Sequence, residues 1–385
     1  MKLIHEIITE YAVQNPGKKA AEDISGSLSY GELNERSDYI ARRLESIGVS
    51  AGGAVGVYVP YVKDVITGAV SVWKAGGIYI PMDDAYPAER LEYMLKDSNA
   101  EAVLTCRSLW DKKKFNYPEE RIIFLDEQTE REIKFYVKQQ NIFLFNPDSP
   151  AMILYTSGTT GHPKGVLHRH EFLSHIVDWM NIGEGIEMNP DTRLGLISRF
   201  TFVATVTMMF GALLKGGTLF FAPEQSRKDL EFLYQFLTEK NITHVFISSG
   251  LAVLLAEDFD ISGINVFAAG EKLSNFRAYS PNVYLRNMYG STEIGVVTSS
   301  KIHGNEEPVS IGRPAPGTKA MLADETLNTA RKDEAGELLI SNSYMSRQYL
   351  NLPEQTAEKW INLDGVTWYR TGDRAVLTPE ETYCI

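Results

Sequence analysis

Apolar residues along the first two thirds of the chain follow two alternating patterns. Residues 30–47 carry apolar side chains at helical spacing, and the pattern stops at Gly48, a residue type that commonly follows a helix end. The continuous apolar run at 54–59 predicts a buried strand, and residues 62–73 predict the helix that follows it. This part of the chain therefore predicts strands that alternate with helices.

The same alternation continues to about residue 270. Further helices are predicted at 203–214 and 228–240. Further strands are predicted at 102–105, 122–125, 151–154, 193–198, 218–222, 244–247 and 266–269. Alternation of this kind is typical of doubly wound α/β folds with mostly parallel sheets. We therefore predict two doubly wound α/β subdomains within residues 1–300.

The last part of the chain has a different pattern. After about Ser300, short apolar runs are separated by turn-forming pairs such as Pro316-Gly317 and Asp364-Gly365. This pattern predicts a small β-rich unit over residues 301–385, built as a distorted barrel. Residues 381–385 have the pattern of a strand that stops without a closing turn, so we expect the chain to be cut within a larger unit.

Composition narrows the class of protein. Of the 385 residues, 44% are apolar and 23% are charged, as in a globular protein with a substantial core. The net charge of −12 argues against a nucleic-acid binder, which carries a basic face. Cys106 and Cys384 provide neither a disulfide framework nor metal-ligand spacing. The sequence shows no signal peptide and no apolar run of membrane-spanning length, so we expect a cytoplasmic protein without a membrane partner.

The first candidate for chemistry is the glycine-rich segment YTSGTTGHPKG at residues 155–165. Glycines let the backbone approach anionic oxygens closely, hydroxyl and N–H groups supply donors, and Lys164 supplies a positive charge. The segment lacks the Gly-Lys-Ser/Thr ending of the common phosphate-binding loop, which disfavours a kinase or GTPase of that type. The segment therefore predicts a polyphosphate site in a nucleotide-using enzyme.

Five further motifs occur in order around this segment. They are LSYGEL (28–33), WKAGGIYIPMD (73–83), NMYGSTE (287–293), GELLI (336–340) and YRTGD (369–373). Together with the glycine-rich segment, they make the chain resemble an acyl-adenylate-forming enzyme, and most closely the adenylation domain of a nonribosomal peptide synthetase. The resemblance implies ATP-dependent activation of a carboxylic acid to an acyl-AMP with release of pyrophosphate. The resemblance also implies that the acyl group then passes to the phosphopantetheine thiol of a carrier protein, in antibiotic biosynthesis.

The resemblance also implies which residues handle the phosphates of ATP and Mg²⁺. Thr292 would donate to the α-phosphate, where charge builds up as the carboxylate oxygen attacks phosphorus. Glu293 would be the Mg²⁺ ligand, because this cation prefers carboxylate oxygen. The residues implied for the β- and γ-phosphates are Thr156, Ser157, Thr159 and Lys164.

Adenine and ribose have their own implied contacts. Tyr289 would stack on adenine, Asn287 would read its exocyclic amine, and Asp373 would accept from both ribose hydroxyls. The neighbouring residues implied for the same nucleotide are Gly270, Glu271, Gly290 and Ser291.

Single residues in this set have structural alternatives. Tyr289 could be an ordinary core residue, Glu293 a helix cap and Asp373 a turn residue. The order and spacing of the motifs favour the nucleotide and metal contacts over these structural roles. His170 is implied near the acyl carboxylate, although the neighbouring His168 leaves its alignment open.

The implied acid pocket departs from the members of the family that activate α-amino acids. Those members carry Phe-Asp-x-Ser, whose aspartate pairs with the substrate ammonium, whereas this chain has FVAT at 202–205. Val203 therefore stands where the aspartate would be, and an ammonium buried there would lack a partner for its charge. The implied pocket residues, none of them acidic, are Phe202, Val203, Ala204, Thr207, Gly250, Phe267, Ala269, Met288, Val296 and Val297.

We therefore expect an acid that lacks a free α-amino group, with an aliphatic α-keto acid or simple carboxylic acid of leucine-like size as the leading prediction. α-Hydroxy acids, short fatty acids and aryl acids stay open as substrates. Family members that activate aryl acids typically carry asparagine at the position of Val203, so valine there weakens the case for an aryl acid. A β-amino-acid substrate also stays open if an acidic residue reaches the amine from a shifted position.

A second departure concerns the end of the chain. The family continues past YRTGD into a hinge and a small C-terminal lid that carries a catalytic lysine, whereas this chain stops at Ile385. We therefore expect the lid subdomain to be absent, adenylation by this core to be slow, and thiol transfer to be nearly absent. Two other classes stay open: a stand-alone acyl- or aryl-CoA ligase that uses free coenzyme A, and a nucleotide-binding pseudoenzyme.

Overall fold

The computed structural model describes residues 2–127, 146–156, 162–179, 187–330 and 334–385. Its helices are α1 (Ile4–Gln14), α2 (Tyr30–Ser46), α3 (Val62–Lys74), α4 (Ala88–Asp97), α5 (Arg107–Lys112), α6 (His170–Trp179), α7 (Val203–Leu214), α8 (Leu230–Glu239), α9 (Ser249–Asp258) and α10 (Pro353–Lys359). Its strands are β1 (Lys19–Asp23), β2 (Gly26–Ser29), β3 (Ala54–Tyr58), β4 (Ile78–Met82), β5 (Ala102–Thr105), β6 (Ile122–Phe124), β7 (Pro150–Thr156), β8 (Lys164–Arg169), β9 (Arg193–Leu196), β10 (Thr218–Phe221), β11 (His244–Ser248), β12 (Asn265–Ala269), β13 (Leu285–Ser291), β14 (Gly295–Ile302), β15 (Arg313–Pro314), β16 (Lys319–Ala323), β17 (Gly336–Ser341), β18 (Trp360–Leu363), β19 (Val366–Leu377) and β20 (Tyr383–Cys384).

A six-stranded sheet has the order β6-β5-β3-β4-β7-β8. Its neighbouring strands run parallel except for the antiparallel pair β7 and β8. Thr156 at the end of β7 lies opposite Lys164 at the start of β8. The two flanks of the glycine-rich segment are therefore held side by side at one edge of this sheet.

A nine-stranded sheet has the order β15-β14-β13-β12-β11-β9-β10-β1-β2. The strands from β13 through β1 run parallel, whereas β14, β15 and β2 are antiparallel to their neighbours. Together with the six-stranded sheet, this order confirms the prediction of two α/β units with mostly parallel sheets.

The core between the two sheets is built around α3 and α7. Helix α7 is apolar on nearly every face and almost wholly buried, as expected of a helix inside a core. Phe210 on α7 packs edge-on against Trp73 of α3 with ring centroids 4.8 Å apart. The Trp73 indole donates to the carbonyl of Ala151 on β7 at 2.8 Å. Helix α7 is thereby fixed relative to both sheets, and so is Val203 at its first turn.

A third, antiparallel sheet has the order β16-β17-β19-β18, and β20 pairs with β19. It confirms the predicted β-rich, barrel-like unit as a curled half-barrel. The predicted boundary at residues 300/301 falls within β14, which belongs to the nine-stranded sheet, and the third sheet begins at Lys319. The division into domains therefore stays a prediction.

Most predicted helices match the structure, with one clear correction. The predicted helix 203–214 coincides with α7, but the predicted helix 228–240 begins two residues later, at Leu230. The reason is local: Asp229 caps α8, because its carboxylate accepts from the backbone N–H of Phe232 at 3.0 Å. Among the described residues, no helix combines the length and the apolar character that a membrane crossing demands.

Candidate active site

Two adjoining cavities open at the carboxyl ends of the parallel strands β9, β11 and β12, with β13 beside them. This is the edge at which α/β folds commonly bind ligands. The first cavity has a volume of about 290 Å³ and the second about 350 Å³. The residues that line both are Gly270, Glu271, Met288 and Gly290. One ligand could therefore extend from one cavity into the other.

Tyr289, Asn287 and Asp373 line the first cavity. The Tyr289 hydroxyl donates to Asp373 Oδ2 at 2.7 Å, and burial together with this carboxylate raises the pKa of Tyr289. Asn287 donates through Nδ2 to the carbonyl of Ser310 at 2.8 Å, which leaves its Oδ1 as an acceptor. The structure thus brings together the aromatic ring, the amide and the carboxylate that were predicted for adenine and ribose.

Glycines shape the passage between the cavities. Gly270 has φ +103°, and a Cβ added there would meet nothing within 4 Å, so the backbone at this point borders open space. At Gly290 a Cβ would lie 1.9 Å from the carbonyl oxygen of Gly295, so any side chain would disrupt the turn between β13 and β14. The Ser249 hydroxyl donates to the Glu271 carbonyl at 2.8 Å and holds the backbone that follows Gly270.

The residues predicted for the phosphates and the metal lie on the β7–β8 and β13–β14 segments. Thr292 and Ser291 line the second cavity, next to the shared residues. Glu293 is 8% exposed, and its Oε1 accepts from the Tyr349 hydroxyl at 2.7 Å. Lys164 starts β8, with Thr156 opposite it. Ser157 and Thr159 lie outside the described residues.

The donor set fits Mg²⁺ bound jointly with a polyphosphate. No group of three or more His, Cys, Asp or Glu side chains able to hold a metal occurs in the described part of the chain. Mg²⁺ is commonly bound by one or two carboxylates and completed by phosphate oxygens and water. The Tyr349 hydrogen bond occupies Oε1 of Glu293 and leaves Oε2 as a ligand atom. Glu293 therefore suits Mg²⁺ that arrives with the nucleotide.

The second cavity contains part of the predicted acid pocket. The predicted residues that line it are Phe202, Val203, Ala204, Ala269, Met288 and Val296. Val203 is 8% exposed and sits at the first turn of α7. The cavity walls at these positions are apolar.

Four predicted pocket residues do not line this cavity: Thr207, Gly250, Phe267 and Val297. Thr207 is buried one turn into α7, where its hydroxyl donates to the carbonyl of Val203 at 2.9 Å. Val297 follows Val296 on β14, so its side chain points to the opposite face and packs with the third sheet. Phe267 is fully buried in the core.

The structure adds cavity residues that sequence reasoning missed, namely Ser198, Phe246 and Ser248. Ser248 ends β11 and lines the cavity, whereas the predicted Gly250, two residues further on in α9, does not. These residues could have been predicted from their positions at or just after predicted strands, because ligands of α/β folds commonly bind at the carboxyl ends of parallel strands.

Glu271 is the one carboxylate among the described residues that line the second cavity. The sequence predicts Glu271 as a nucleotide contact, and its exposed side chain borders both cavities. An exposed acidic side chain therefore borders the same cavity as Val203.

The structure does not place His170 at either cavity. Its ring packs in the core, 6.4 Å from Trp73 and 6.0 Å from His5 between centroids. Burial lowers the pKa of His170 to about 4, so its imidazole is neutral at pH 7. This placement suits a core residue.

Comparison with known families agrees with this geometry. The family described as AMP-binding enzyme matches residues 8–350. The chain belongs to the AMP-binding enzyme family. This AMP-binding enzyme is 31% identical over 401 residues to Gramicidin S synthase 2 of Brevibacillus brevis, across 98% of the chain and 9% of that protein. It is 32% identical over 392 residues to Bacitracin synthase 3 of Bacillus licheniformis, across 98% of the chain and 6% of that protein.

The chain therefore spans less than a tenth of the length of these two relatives. Solved structures show the same fold. The N-terminal subdomain of Klebsiella oxytoca NpsA, in complex with 3-hydroxybenzoyl-AMSN, matches with a TM-score of 0.81 at 22% identity, over 100% of this chain and 99% of that one. The nonribosomal peptide synthetase FmoA3 matches with a TM-score of 0.88 at 24% identity, over 100% of this chain and 42% of that one. The predicted resemblance to adenylation domains, restricted to their large N-terminal core, is confirmed.

Proposed function

We propose that this AMP-binding enzyme activates a carboxylic acid without a free α-amino group to an acyl-AMP, with release of pyrophosphate. The proposal depends on the placement of Val203, which stands in the first turn of α7 and lines the second cavity, called the acid cavity from here on. A substrate ammonium at this wall would be desolvated without an opposite charge. An aliphatic α-keto acid or simple acid of leucine-like size suits the apolar walls.

The two cavities assign the parts of the adenylate. The first cavity, with Tyr289, Asn287 and Asp373, would take adenosine, and the second would take the acyl group. The shared residues would then lie at the junction, where the new bond forms. There the substrate carboxylate oxygen attacks the α-phosphorus of ATP, and the bond from that phosphorus to the bridging oxygen of pyrophosphate breaks.

Residues beside this junction would stabilise the charge that develops. Thr292 borders the acid cavity, and its hydroxyl would donate to the α-phosphate oxygen. Lys164 would neutralise the departing phosphates. Glu293 would hold Mg²⁺, which when bound screens the negative charge of the phosphate oxygens.

The acceptor of the acyl group is proposed to be the phosphopantetheine thiol of a carrier protein. Two observations support this choice: the relatives include peptide synthetases, and NpsA has been fused artificially to a carrier-type partner in an adenylation–PCP di-domain. Free coenzyme A is the alternative acceptor. Supplying each acceptor with a preformed acyl-AMP and identifying the thioester by mass spectrometry separates the two.

A second substrate class is favoured by one observation. The exposed Glu271 carboxylate borders the acid cavity, so it could pair with an amine that is further from the carboxylate than an α-amino group. A β-amino acid is therefore the alternative substrate.

Pyrophosphate exchange with a panel of acids tests the proposal. The panel pairs leucine with 4-methyl-2-oxopentanoate and 4-methylpentanoate, and adds an aryl acid and a β-amino acid. We expect exchange with the keto or simple acid to exceed exchange with leucine by at least about tenfold. Equal or faster exchange with leucine would show that Val203 does not exclude a substrate with an α-amino group.

A further inference from the structure

Tyr349 joins the two segments on which the predicted phosphate and metal ligands lie. Its side chain is 5% exposed, and its hydroxyl donates to Glu293 Oε1 at 2.7 Å. Its backbone is held against β8 by a bridge to Val166 and by the N–H of Leu350, which donates to the carbonyl of Gly165 at 2.7 Å. The residue therefore connects the start of β8 with the turn that carries Glu293.

The same ring contacts the lysine of the glycine-rich segment. Lys164 Nζ lies 5.1 Å from the Tyr349 ring centroid, within the range of a cation–π interaction. Trp360 packs edge-on against the ring with centroids 5.0 Å apart and limits its rotation. One tyrosine thus holds an ammonium at its face and a carboxylate at its hydroxyl.

This arrangement keeps two opposite charges apart. Among the described residues, no ion pair joins Lys164 and Glu293, although both contact Tyr349. A direct pair would neutralise the positive charge that phosphate oxygens require and occupy the oxygens that a divalent cation requires. Hydrogen bonds from groups behind a ligand fix its orientation, and their loss commonly weakens metal binding by about 10–100-fold.

Resting on the function proposed above, we propose that Tyr349 is a positioning residue that directs Glu293 towards Mg²⁺ and Lys164 towards the β- and γ-phosphates. It touches neither the acid nor the adenosine in this scheme, since it lines neither cavity. Its contribution should therefore be confined to the metal–polyphosphate part of the ligand.

The test compares Tyr349→Phe with the parent chain in two calorimetric titrations. The first uses a non-hydrolysable ATP analogue over a series of Mg²⁺ concentrations. The second uses a non-hydrolysable acyl-adenylate in EDTA, because this compound lacks the β- and γ-phosphates and the metal. The control is Tyr344→Phe, which also removes a buried hydroxyl, one that lies 2.9 Å from Thr318 Oγ1 and outside both cavities.

For Tyr349→Phe we expect the affinity for the Mg²⁺–nucleotide to fall about tenfold or more, and the Mg²⁺ midpoint to rise, while acyl-adenylate binding stays within about twofold of the parent. Tyr344→Phe should leave both titrations unchanged. In a Glu293→Gln background, Tyr349→Phe should have no further effect on the Mg²⁺ midpoint.

Three results would overturn the inference. The first is an unchanged Mg²⁺-dependent affinity for the nucleotide in Tyr349→Phe, and the second is an equal loss of affinity in both titrations. The third is a shift of the Mg²⁺ midpoint by Tyr349→Phe that is as large in the Glu293→Gln background as in the parent. A parent chain that binds neither compound would instead overturn the proposed function and the inference with it.

Discussion

Replacing Val203 with aspartate tests the proposal that the acid cavity, the second of the two, excludes a substrate with an α-amino group. Val203 is 8% exposed and lines the second cavity. A carboxylate in this first turn of α7 would lie at the positive end of the helix dipole, which favours a negative charge by roughly 0.3–1 kcal/mol. Valine and aspartate differ little in size, so the substitution changes mainly the charge.

The size of the effect follows from the burial of this position. Breaking a buried ion pair by removing one partner costs about 3–5 kcal/mol, and each 1.4 kcal/mol corresponds to about a tenfold change in affinity. The cavity is partly open, so we take the lower end of that range. Val203→Asp should therefore shift the preference between an α-amino acyl group and its deaminated counterpart by at least about 100-fold.

The assay is calorimetric titration with two non-hydrolysable acyl-adenylates, one carrying leucine and one carrying 4-methylpentanoate. Val203→Asn is the control, because asparagine has the shape of aspartate without its charge. We expect the aspartate variant to lose affinity for the 4-methylpentanoyl compound and gain affinity for the leucyl compound, whereas the asparagine variant shows no gain. An unchanged preference in Val203→Asp would refute the assignment of this wall to the substrate α-carbon.

Three further predictions follow from the described contacts. Asp373→Ala should weaken binding of the ATP analogue by about tenfold or more in calorimetry, because the carboxylate proposed to accept hydrogen bonds from ribose is lost; unchanged affinity would contradict that role. Glu271→Gln should leave the affinity for the 4-methylpentanoyl compound within about twofold of the parent. A β-aminoacyl compound that binds the parent chain but no longer binds this variant would establish the β-amino acid as the substrate. His168 is fully buried, and burial lowers its pKa to about 3, so it stays neutral in the fold while the unfolded chain takes up a proton below about pH 6.5. The contribution of His168 to the free energy of unfolding is therefore complete above pH 6.5 and is lost as the pH falls towards 3, with a loss of about 2 kcal/mol at pH 5. His168→Leu should reduce the difference between the unfolding free energies at pH 7 and pH 5 by about that amount. An unchanged difference would contradict a buried, neutral His168 ring.

The sequence predicted the elements whose apolar pattern is long or uninterrupted. Helix α7 and the strands β3, β5 and β12 were predicted from such runs, since burial on several faces requires apolar residues throughout. The hairpin of β1 and β2 was not predicted, because its short strands carry polar residues on their exposed faces. Its pairing with β10 depends on residues almost two hundred positions away.

The site was predictable where a motif fixes both the residue and its position. Asn287, Tyr289 and Asp373 were predicted from two motifs, and the fold brings all three to one cavity. The acid pocket was harder, because no motif marks the end of β11, where Ser248 and not the predicted Gly250 lines the cavity. The contacts of Tyr349 with Lys164 and Glu293 depend on segments far apart in the chain, so no local pattern could reveal them.

A crystal structure of the chain with a non-hydrolysable adenylate of a leucine-sized neutral acid tests the central claim most directly. We expect adenine beside Tyr289, ribose at Asp373 and the acyl group against Val203 in the second cavity. An acyl group bound elsewhere would contradict the claim that these adjoining cavities hold one neutral acyl-adenylate. So would a competing leucyl adenylate that occupies the site in preference, with its ammonium paired to a carboxylate.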